Sequence, residues 1–486
     1  MEIDPHRCYR ALRSRDARFD GRFFAAVRTT GVYCRPVCPA RTPKRENVVF
    51  FACAAAAEDA GFRPCRRCRP ETSPGTPAWL GSSAVVGRAL RLIESGALDD
   101  ANVAELAARV GVGDRQLRRL FASHLGTSPL AVARTQRAHL ARRLLDETDL
   151  RATDVAFAAG YGSVRRFNEA LRETFGASPS ALRRRPLGKP RAGDLQLRLP
   201  YREPYAAAAL FSFLATRALP GVESASAAAY RRVVVATGGH ALVDVRPLPD
   251  RPALILRVRS DDVRGLADIV ARARRVFDVG ADPHAVDSEL GADPALAALV
   301  RRRPGLRLPG TWSFFELAAR AVLGQQVSVA AATTLAARLV ERCGERLGHY
   351  DDVDRAFPSA QAVRAADLDG LGITSARVAT LRALAAAVDD GRVGGDDRGD
   401  LDDEIARLTA IPGIGPWTAH YIAMRGLGEV DAFPAADLVV RRMLGNGRPL
   451  SAAECERRAD RWRPWRAYAV MHLWNGANDL RAKEAR

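Results

Sequence analysis

Between residues 84 and 185 the apolar positions recur at helical spacing in two similar runs. In the first, Val103, Leu106, Ala107 and Val110 make one face, Gly111 interrupts it, and Leu117, Leu120 and Phe121 mark the buried side of a second helix. In the second, Val155, Ala158 and Ala159 precede Gly160, and Phe167, Leu171 and Phe175 fill the later face. A short amphipathic helix, a glycine turn and a second helix, twice over, predict tandem helix-turn-helix units. Arg115, Arg118 and Arg119 in the first unit, and Arg165, Arg166 and Asn168 in the second, are left facing outward near the start of the second helices. Side chains so placed reach base edges or phosphates in a major groove, and each one taken singly serves equally well as a solvated helix face.

Downstream the period changes. YRRVVVA, HALVDVRP and ALILRVRS alternate apolar with polar positions and predict a small antiparallel sheet with two flanking helices in residues 194–300. From Leu401 the chain predicts a helix, the hairpin IPGIG, another helix, a Gly- and Pro-bearing loop, and a third helix opened by Asp437. Two stretches break the periodicity and read as linkers: 70–83, rich in Pro, Gly, Ser and Thr, and 183–194, rich in Arg, Lys, Pro and Gly. They imply segments 1–71, 84–185, 194–300 and 301–482.

A chain of 486 residues exceeds what one core usually serves, and 47% hydrophobic residues mark it as globular. The net charge of +18 is uneven. Residues 1–190 hold 33 Lys and Arg against 19 Asp and Glu, whereas the remaining 296 residues hold 41 against 37. A basic N-terminal third calls for a polyanionic partner, and the later part must bind through local patches. No apolar run is long enough to span a bilayer and no cleavable leader is evident, so the reducing cytoplasm is the expected compartment, with no membrane partner.

In that compartment four cysteines in two close pairs, Cys34-x3-Cys38 and Cys65-x2-Cys68, suit tetrahedral zinc better than disulfides. Cys8, Cys53, Cys343 and Cys455 are scattered and expected as small core residues. The fold class is therefore multidomain α+β. It comprises a small four-cysteine zinc domain, an all-α tandem helix-turn-helix domain, a small antiparallel α+β subdomain and an α-helical helix-hairpin-helix domain.

Residues 1–71, with RTTGVYCRPVC and AGFRPCRRCRPE, resemble the N-terminal module of Ada-type methylphosphotriester methyltransferases, and residues 84–185 resemble the AraC-type regulator domain through the closing G-x-S-P-x-x-L. The resemblance implies that Cys34 accepts a methyl group from a DNA phosphotriester, that Cys38, Cys65 and Cys68 complete the zinc site, and that Thr30, Arg41 and Arg63 hold the DNA backbone. Physically, a zinc-bound thiolate is a soft nucleophile at neutral pH without a general base. Its methylation removes one negative charge near a polyanion, which makes a damage sensor. A regulator of this type implies promoter DNA and RNA polymerase as partners.

In the hairpin, Gly413 and Gly415 let backbone N–H groups approach a phosphate at a helix N-terminus, an arrangement in which hairpin carbonyls can hold a monovalent cation. Residues 194–480 resemble the AlkA-type 3-methyladenine branch of the helix-hairpin-helix glycosylases, through LPYREPY, FLATRALPGVE, RPGLRLPGTWSFFELAARAVLGQQVSV and WRPWRAYAVMHLW. The resemblance implies that the Asp437 carboxylate stabilises the sugar cation formed as a base leaves, and that Phe213, Trp417, Tyr421 and Trp474 surround the flipped base. Asp431 is the competing acid, expected in a structural hydrogen-bonding role. Trp417 stands where bifunctional relatives carry a Schiff-base lysine, so a monofunctional glycosylase is expected, and no cysteine cluster follows to bind an iron–sulfur centre.

Two positions depart from the pattern: Leu438 replaces an aromatic, and Gln326 occupies the region of a DNA wedge that is hydrophobic in some relatives. The Pro-Cys-His-Arg acceptor of alkylguanine methyltransferases is not found. The expected protein is a damage-sensing regulator fused to a glycosylase for alkylated purines, acting on double-stranded DNA. The alternative is a transcriptional regulator whose glycosylase-like domain has lost turnover.

Overall fold

The computed structural model describes residues 3–74, 84–99, 101–183, 194–260, 262–347, 352–395 and 400–484. Most of both linkers, 75–83 and 184–193, lies outside the described residues. The chain divides into two compact units: 1–202 with 235–274 and 279–281, and 203–234 with 275–278 and 282–486. Among the described residues no helix is long and apolar enough to cross a membrane.

The first unit begins with a four-stranded sheet in the order Val48–Phe51, Phe24–Val27, Val32–Cys34, Arg63–Pro64. The central pairings are antiparallel, with Val27 opposite Val48 and Ala25 opposite Cys34, and Val32 runs parallel to Arg63. Strand alternation sends Phe23 and Ala25 against the helix Pro5–Ser14, and Phe24, Ala26 and Tyr33 against the helix Ala54–Asp59.

The helical segment follows the predicted pattern. Val103–Arg109 and Asp114–Leu125 form the first helix-turn-helix, and Ala152–Ala158 and Val164–Phe175 the second. Phe121 and Leu117 are buried with Leu106, Ala107 and Val110, while Leu120 is only half-buried at their edge. Gly160 turns the second unit at φ +81°, and a Cβ there would lie 2.2 Å from the Asp99 carboxylate, so only glycine fits. A long helix, Pro129–Glu147, joins the two units; the Ser128 side chain caps its start and Pro129 sits in its first turn.

This connecting helix is tied to the cysteine module by buried polar hubs. The Tyr33 hydroxyl donates to Glu58 Oε1 at 2.7 Å and lies 3.2 Å from His139 Nε2, and the Thr135 hydroxyl donates to Glu58 Oε2. Arg69, next to Cys68, pairs with Asp146, which also binds Arg142. Three antiparallel strands complete the unit, Asp194–Pro200 beside Ala253–Ser260 beside Gly239–Pro247, with Leu197, Leu256, Val258 and Val243 buried.

The second unit is mainly helical. Its core gathers Phe315, Val322, Leu339, Leu381, Leu384, Leu408 and Ile422 from the helices Phe314–Leu323, Val329–Cys343, Ser375–Asp389, Leu401–Thr409 and Pro416–Ile422. Glu223 of a short hairpin and Glu316 meet Arg232 and Arg320 in a buried cluster, with Arg232 to Glu316 at 2.7 Å and Arg320 to Glu223 at 2.8 Å. Each charge there has an opposite partner, which buried ions require.

Burial pushes the Glu58 carboxyl up, and His139, Thr135 and Tyr33 more than offset it, holding the group below the usual carboxylate range. Its stabilising share is therefore complete above that range and lost as pH falls through the lowered value. Glu58→Gln should cost about 2–4 kcal/mol at neutral pH. The difference between wild type and variant should shrink on acidification, as read by denaturant unfolding between neutral and acid pH.

Candidate functional sites

The four predicted ligands do come together. Cys34 ends an edge-proximal strand, Cys38 follows one tight turn, and Cys65 and Cys68 flank the turn after Arg63–Pro64. Their sulfurs all lie within 4.8 Å of one another, and all four residues are buried. Crowding by Cys38, Cys65 and Cys68 pushes the Cys34 thiol up, since neighbouring sulfurs cannot all carry charge without a cation. Four soft donors in one buried cluster fit zinc, and the remaining cysteines, Cys8, Cys53, Cys343 and Cys455, stand apart as free thiols. The Arg35 amide donates to Cys68 Sγ at 3.4 Å, and its guanidinium binds Asp20, the Cys68 carbonyl and Thr72, which fixes the Cys34–Cys38 turn.

Thr30, Arg41 and Arg63 are exposed. Arg115, Arg118, Arg119, Arg165 and Arg166 are exposed on the second helices of their units, and Asn168 is half-buried. Arg118 pairs with Asp114 at 2.9 Å and Arg165 with Glu169 at 3.0 Å, surface pairs of little energetic weight that still leave both guanidiniums on the outer face.

In the second unit Asp437 caps the helix Leu438–Leu444, its Oδ1 accepting from the Val440 amide at 2.9 Å. The same carboxylate accepts from Trp417 Nε1 at 3.0 Å and from Trp474 Nε1 at 3.2 Å. Asp431 is occupied by Arg463 and Arg466, the role expected of it. Trp417 and Tyr421 stack with centroids 5.6 Å apart and planes 11° apart, and Trp474 meets Tyr421 at 6.2 Å. All three rings are partly open to solvent, as is Phe213. Leu438 is 49% exposed beside them.

Sequence reasoning missed two arginines here. Arg217 lies 3.8 Å over the Phe213 ring and Arg425 4.8 Å from it, and Arg425 donates to the Tyr421 hydroxyl at 2.9 Å. Burial raises the Tyr421 phenol, but Arg425 and Arg217 overcome it and hold the group below the usual phenol range. The available signal was the i, i+4 spacing of each arginine from an aromatic, Phe213 to Arg217 and Tyr421 to Arg425.

The hairpin adds Gly413 at φ +86°, where a Cβ would lie 2.0 Å from the Thr380 hydroxyl, and Gly415, which opens the helix Pro416–Ile422 at φ −86° with free space around it. Gln326 is exposed at φ +56° in the turn after Phe314–Leu323. Its neighbour Gln325, also missed, donates to the Gly413 carbonyl at 2.9 Å and to Thr418 at 3.1 Å.

Comparison with known proteins gives four family matches. They are the metal binding domain of Ada over residues 7–71, a helix-turn-helix domain over 106–185, the AlkA N-terminal domain over 196–313, and the HhH-GPD superfamily base excision DNA repair protein over 319–467. A probable bifunctional transcriptional activator/DNA repair enzyme AlkA of Mycobacterium tuberculosis is 46% identical over 481 residues, 98% of this chain and 97% of its own length. DNA-3-methyladenine glycosylase 2 of Escherichia coli is 35% identical over 279 residues, 57% of this chain and 95% of its own. Among solved structures, a 3-methyladenine DNA-glycosylase from Archaeoglobus fulgidus shares the fold, with a TM-score of 0.52 and 23% identity over 58% of this chain and 98% of its own.

Gly413→Ala should destabilise the protein by about 1–3 kcal/mol and weaken duplex DNA binding, because both backbone and Thr380 oppose the added methyl. Gly415→Ala should do little to stability. Denaturant unfolding and fluorescence titration of a duplex compare the two.

Proposed function

The chain belongs to the family of bifunctional transcriptional activator/DNA repair enzymes that join an Ada-type metal-binding module to an AlkA-type glycosylase, and from that membership we propose how its residues divide the work. It is a zinc- and DNA-binding alkylation-response protein that accepts methyl groups from DNA methylphosphotriesters, regulates transcription and excises alkylated purines. We divide it into 1–71 for methyl acceptance, 84–185 for promoter binding, and 194–300 with 301–482 for glycosylase action.

In the first module Cys34, Cys38, Cys65 and Cys68 hold zinc, which supplies the positive charge that keeps their sulfurs deprotonated. Thr30, Arg41 and Arg63 grip the backbone while Cys34 Sγ attacks the methyl carbon. An S–C bond forms, the O–C bond breaks, and its electron pair returns to the phosphate oxygen, leaving a diester anion and a thioether. The thioether has lost one negative charge, so DNA is repelled less. Arg115, Arg118, Arg119, Arg165, Arg166 and Asn168 then read promoter DNA. RNA polymerase is the further partner, and the cytoplasm the compartment.

In the glycosylase, the hairpin around Gly413 and Gly415 grips a phosphate, with a monovalent cation on its carbonyls, and Gln326 enters the gap left by the flipped nucleotide. Phe213, Trp417, Tyr421 and Trp474 enclose the base. The Asp437 carboxylate faces the sugar as the N-glycosidic bond breaks, and water adds to the anomeric carbon. Trp417 offers no amine, so hydrolysis proceeds without a Schiff base. The observation that carries this assignment is the Asp437 carboxylate, held by two pocket indoles and a helix amide.

Wild-type protein should release 3-methyladenine from methylated duplex DNA, and Asp437→Asn should slow release by about 10²–10³-fold in single-turnover assays. No release by folded wild type would make the C-terminal half a binding module. Separately, Cys34→Ser should abolish methyl transfer from a methylphosphotriester oligonucleotide, with label on the protein as the readout; persistent transfer would remove Cys34 from the nucleophile's role.

A further inference from the structure

The helix Pro5–Ser14 carries charge that works against its own formation. It packs Cys8, Ala11 and Leu12 against Phe23, Ala25 and Val48 of the sheet, and leaves Arg7, Arg10 and Arg13 exposed, with Arg15 exposed just past its end. Residues 5–15 hold these four arginines and no acid. Spacings of three residues place Arg7 beside Arg10 and Arg10 beside Arg13, where like charges repel. Arg7 also stands in the first turn, at the positive end of the helix, and that turn has no acidic residue.

Exposed arginines elsewhere in the chain sit on acids: Arg18 on Asp16, Arg118 on Asp114, Arg165 on Glu169 and Arg264 on Asp262. Among the described residues Arg7, Arg10 and Arg13 have no carboxylate within 4.0 Å. Arg7 lies 5.3 Å from the Phe19 ring centroid, which orders its guanidinium without neutralising it. Three like charges in a row, unopposed by the protein, fit an opposing charge from outside it.

The stripe adjoins the segment that follows Cys38. The Arg15 guanidinium donates to the carbonyls of Pro39 at 3.3 Å and Ala40 at 3.5 Å, and the Tyr9 hydroxyl donates to that of Pro43 at 3.0 Å. The stretch carrying Arg41 is thereby fastened to the helix. Helical rise separates Arg7 from Arg13 by about 9 Å along the axis, while successive phosphates of one DNA strand advance about 3.4 Å, so the stripe matches about two or three phosphates.

We propose that Arg7, Arg10 and Arg13 form a further DNA-binding surface, which takes the phosphate backbone of duplex DNA beyond the phosphotriester presented to Cys34, by charge and without reading sequence. The proposal rests on the reading of Arg41 as a backbone contact of the same module.

The test follows methyl transfer from a methylphosphotriester duplex to full-length, zinc-loaded protein, with DNA below saturation and salt between about 50 and 200 mM. In this regime the second-order rate constant carries the salt dependence of the DNA encounter, and each lost phosphate contact makes its logarithmic slope shallower by about 0.9. The triple variant Arg7→Gln, Arg10→Gln, Arg13→Gln should have a slope shallower by about two, so that wild type loses on the order of tenfold more of its rate across this range. The triple variant Arg7→Lys, Arg10→Lys, Arg13→Lys should keep the wild-type slope. Arg41→Gln, the reference, should make the slope shallower by about one. The Gln triple should also be at least as resistant to denaturant as wild type, since it loses repulsion and no partner. Lower resistance with an unchanged slope would assign the stripe to the fold and overturn the proposal. An unchanged slope in the Gln triple beside a shallower one in Arg41→Gln would overturn the proposal alone, leaving the stripe to solvent or to a different partner. An unchanged slope in both would overturn the reading of Arg41 as well.

Discussion

One carboxylate organises the catalytic half. Asp437 receives three N–H donors, one from the first turn of the helix it caps and two from indoles on separate helices, Pro416–Ile422 and Arg466–Glu484. Those bonds fix which way Trp417 and Trp474 face. Trp417 then sets the plane on which Tyr421 stacks, and Tyr421 in turn anchors Arg425 and through it the carbonyls of Pro309 and Gly310. The carboxylate proposed to act at the sugar is thus also the joint that assembles the aromatic rings around it. Hydrogen bonds from neutral donors hold it, and among the described residues no cation is paired with it, which keeps its charge available for the proposed role.

The regulatory half shows a comparable economy. Tyr33 and Arg69 each adjoin a cysteine of the cluster in sequence, and each reaches a buried acid: Glu58, which contacts the helix Pro129–Glu147, or Asp146, which lies on it. The sulfur cluster and the helix that joins the two helix-turn-helix units therefore share buried, fully partnered charges. Such pairs add little net stability, yet they are costly to break, which holds the two modules in one geometry.

Much of this was legible in the sequence. Helix faces such as Val103–Leu106–Val110 and Phe167–Leu171–Phe175 followed from period alone, as did the strand alternation after residue 194 and the role of Asp437 as the residue that opens a helix. The cysteine cluster followed from spacing and chemistry. What stayed hidden depends on side-chain direction over long separations: Tyr33 and His139 are 106 positions apart, and no local pattern couples them. Arg217 and Arg425 were readable as helix neighbours of aromatics but not as lining one pocket, because an i, i+4 pair shows that two side chains are adjacent and not what lies across from them. Leu120 misses full burial for a related reason, since it stands at the rim of the apolar stripe.

The Gln325 side chain, with its bonds to Gly413 and Thr418, gives the turn carrying Gln326 a fixed offset from the hairpin at Gly413 and Gly415, and Arg377 adds a bond to the Gln325 carbonyl. In the proposed assignment the hairpin and the Gln326 turn are then the two jaws of a caliper. On a duplex of regular rise, a fixed jaw spacing means that gripping one phosphate selects which nucleotide is tried for extrusion. Under that assignment the register is set by Gln325, whose side chain is committed to Gly413 and Thr418.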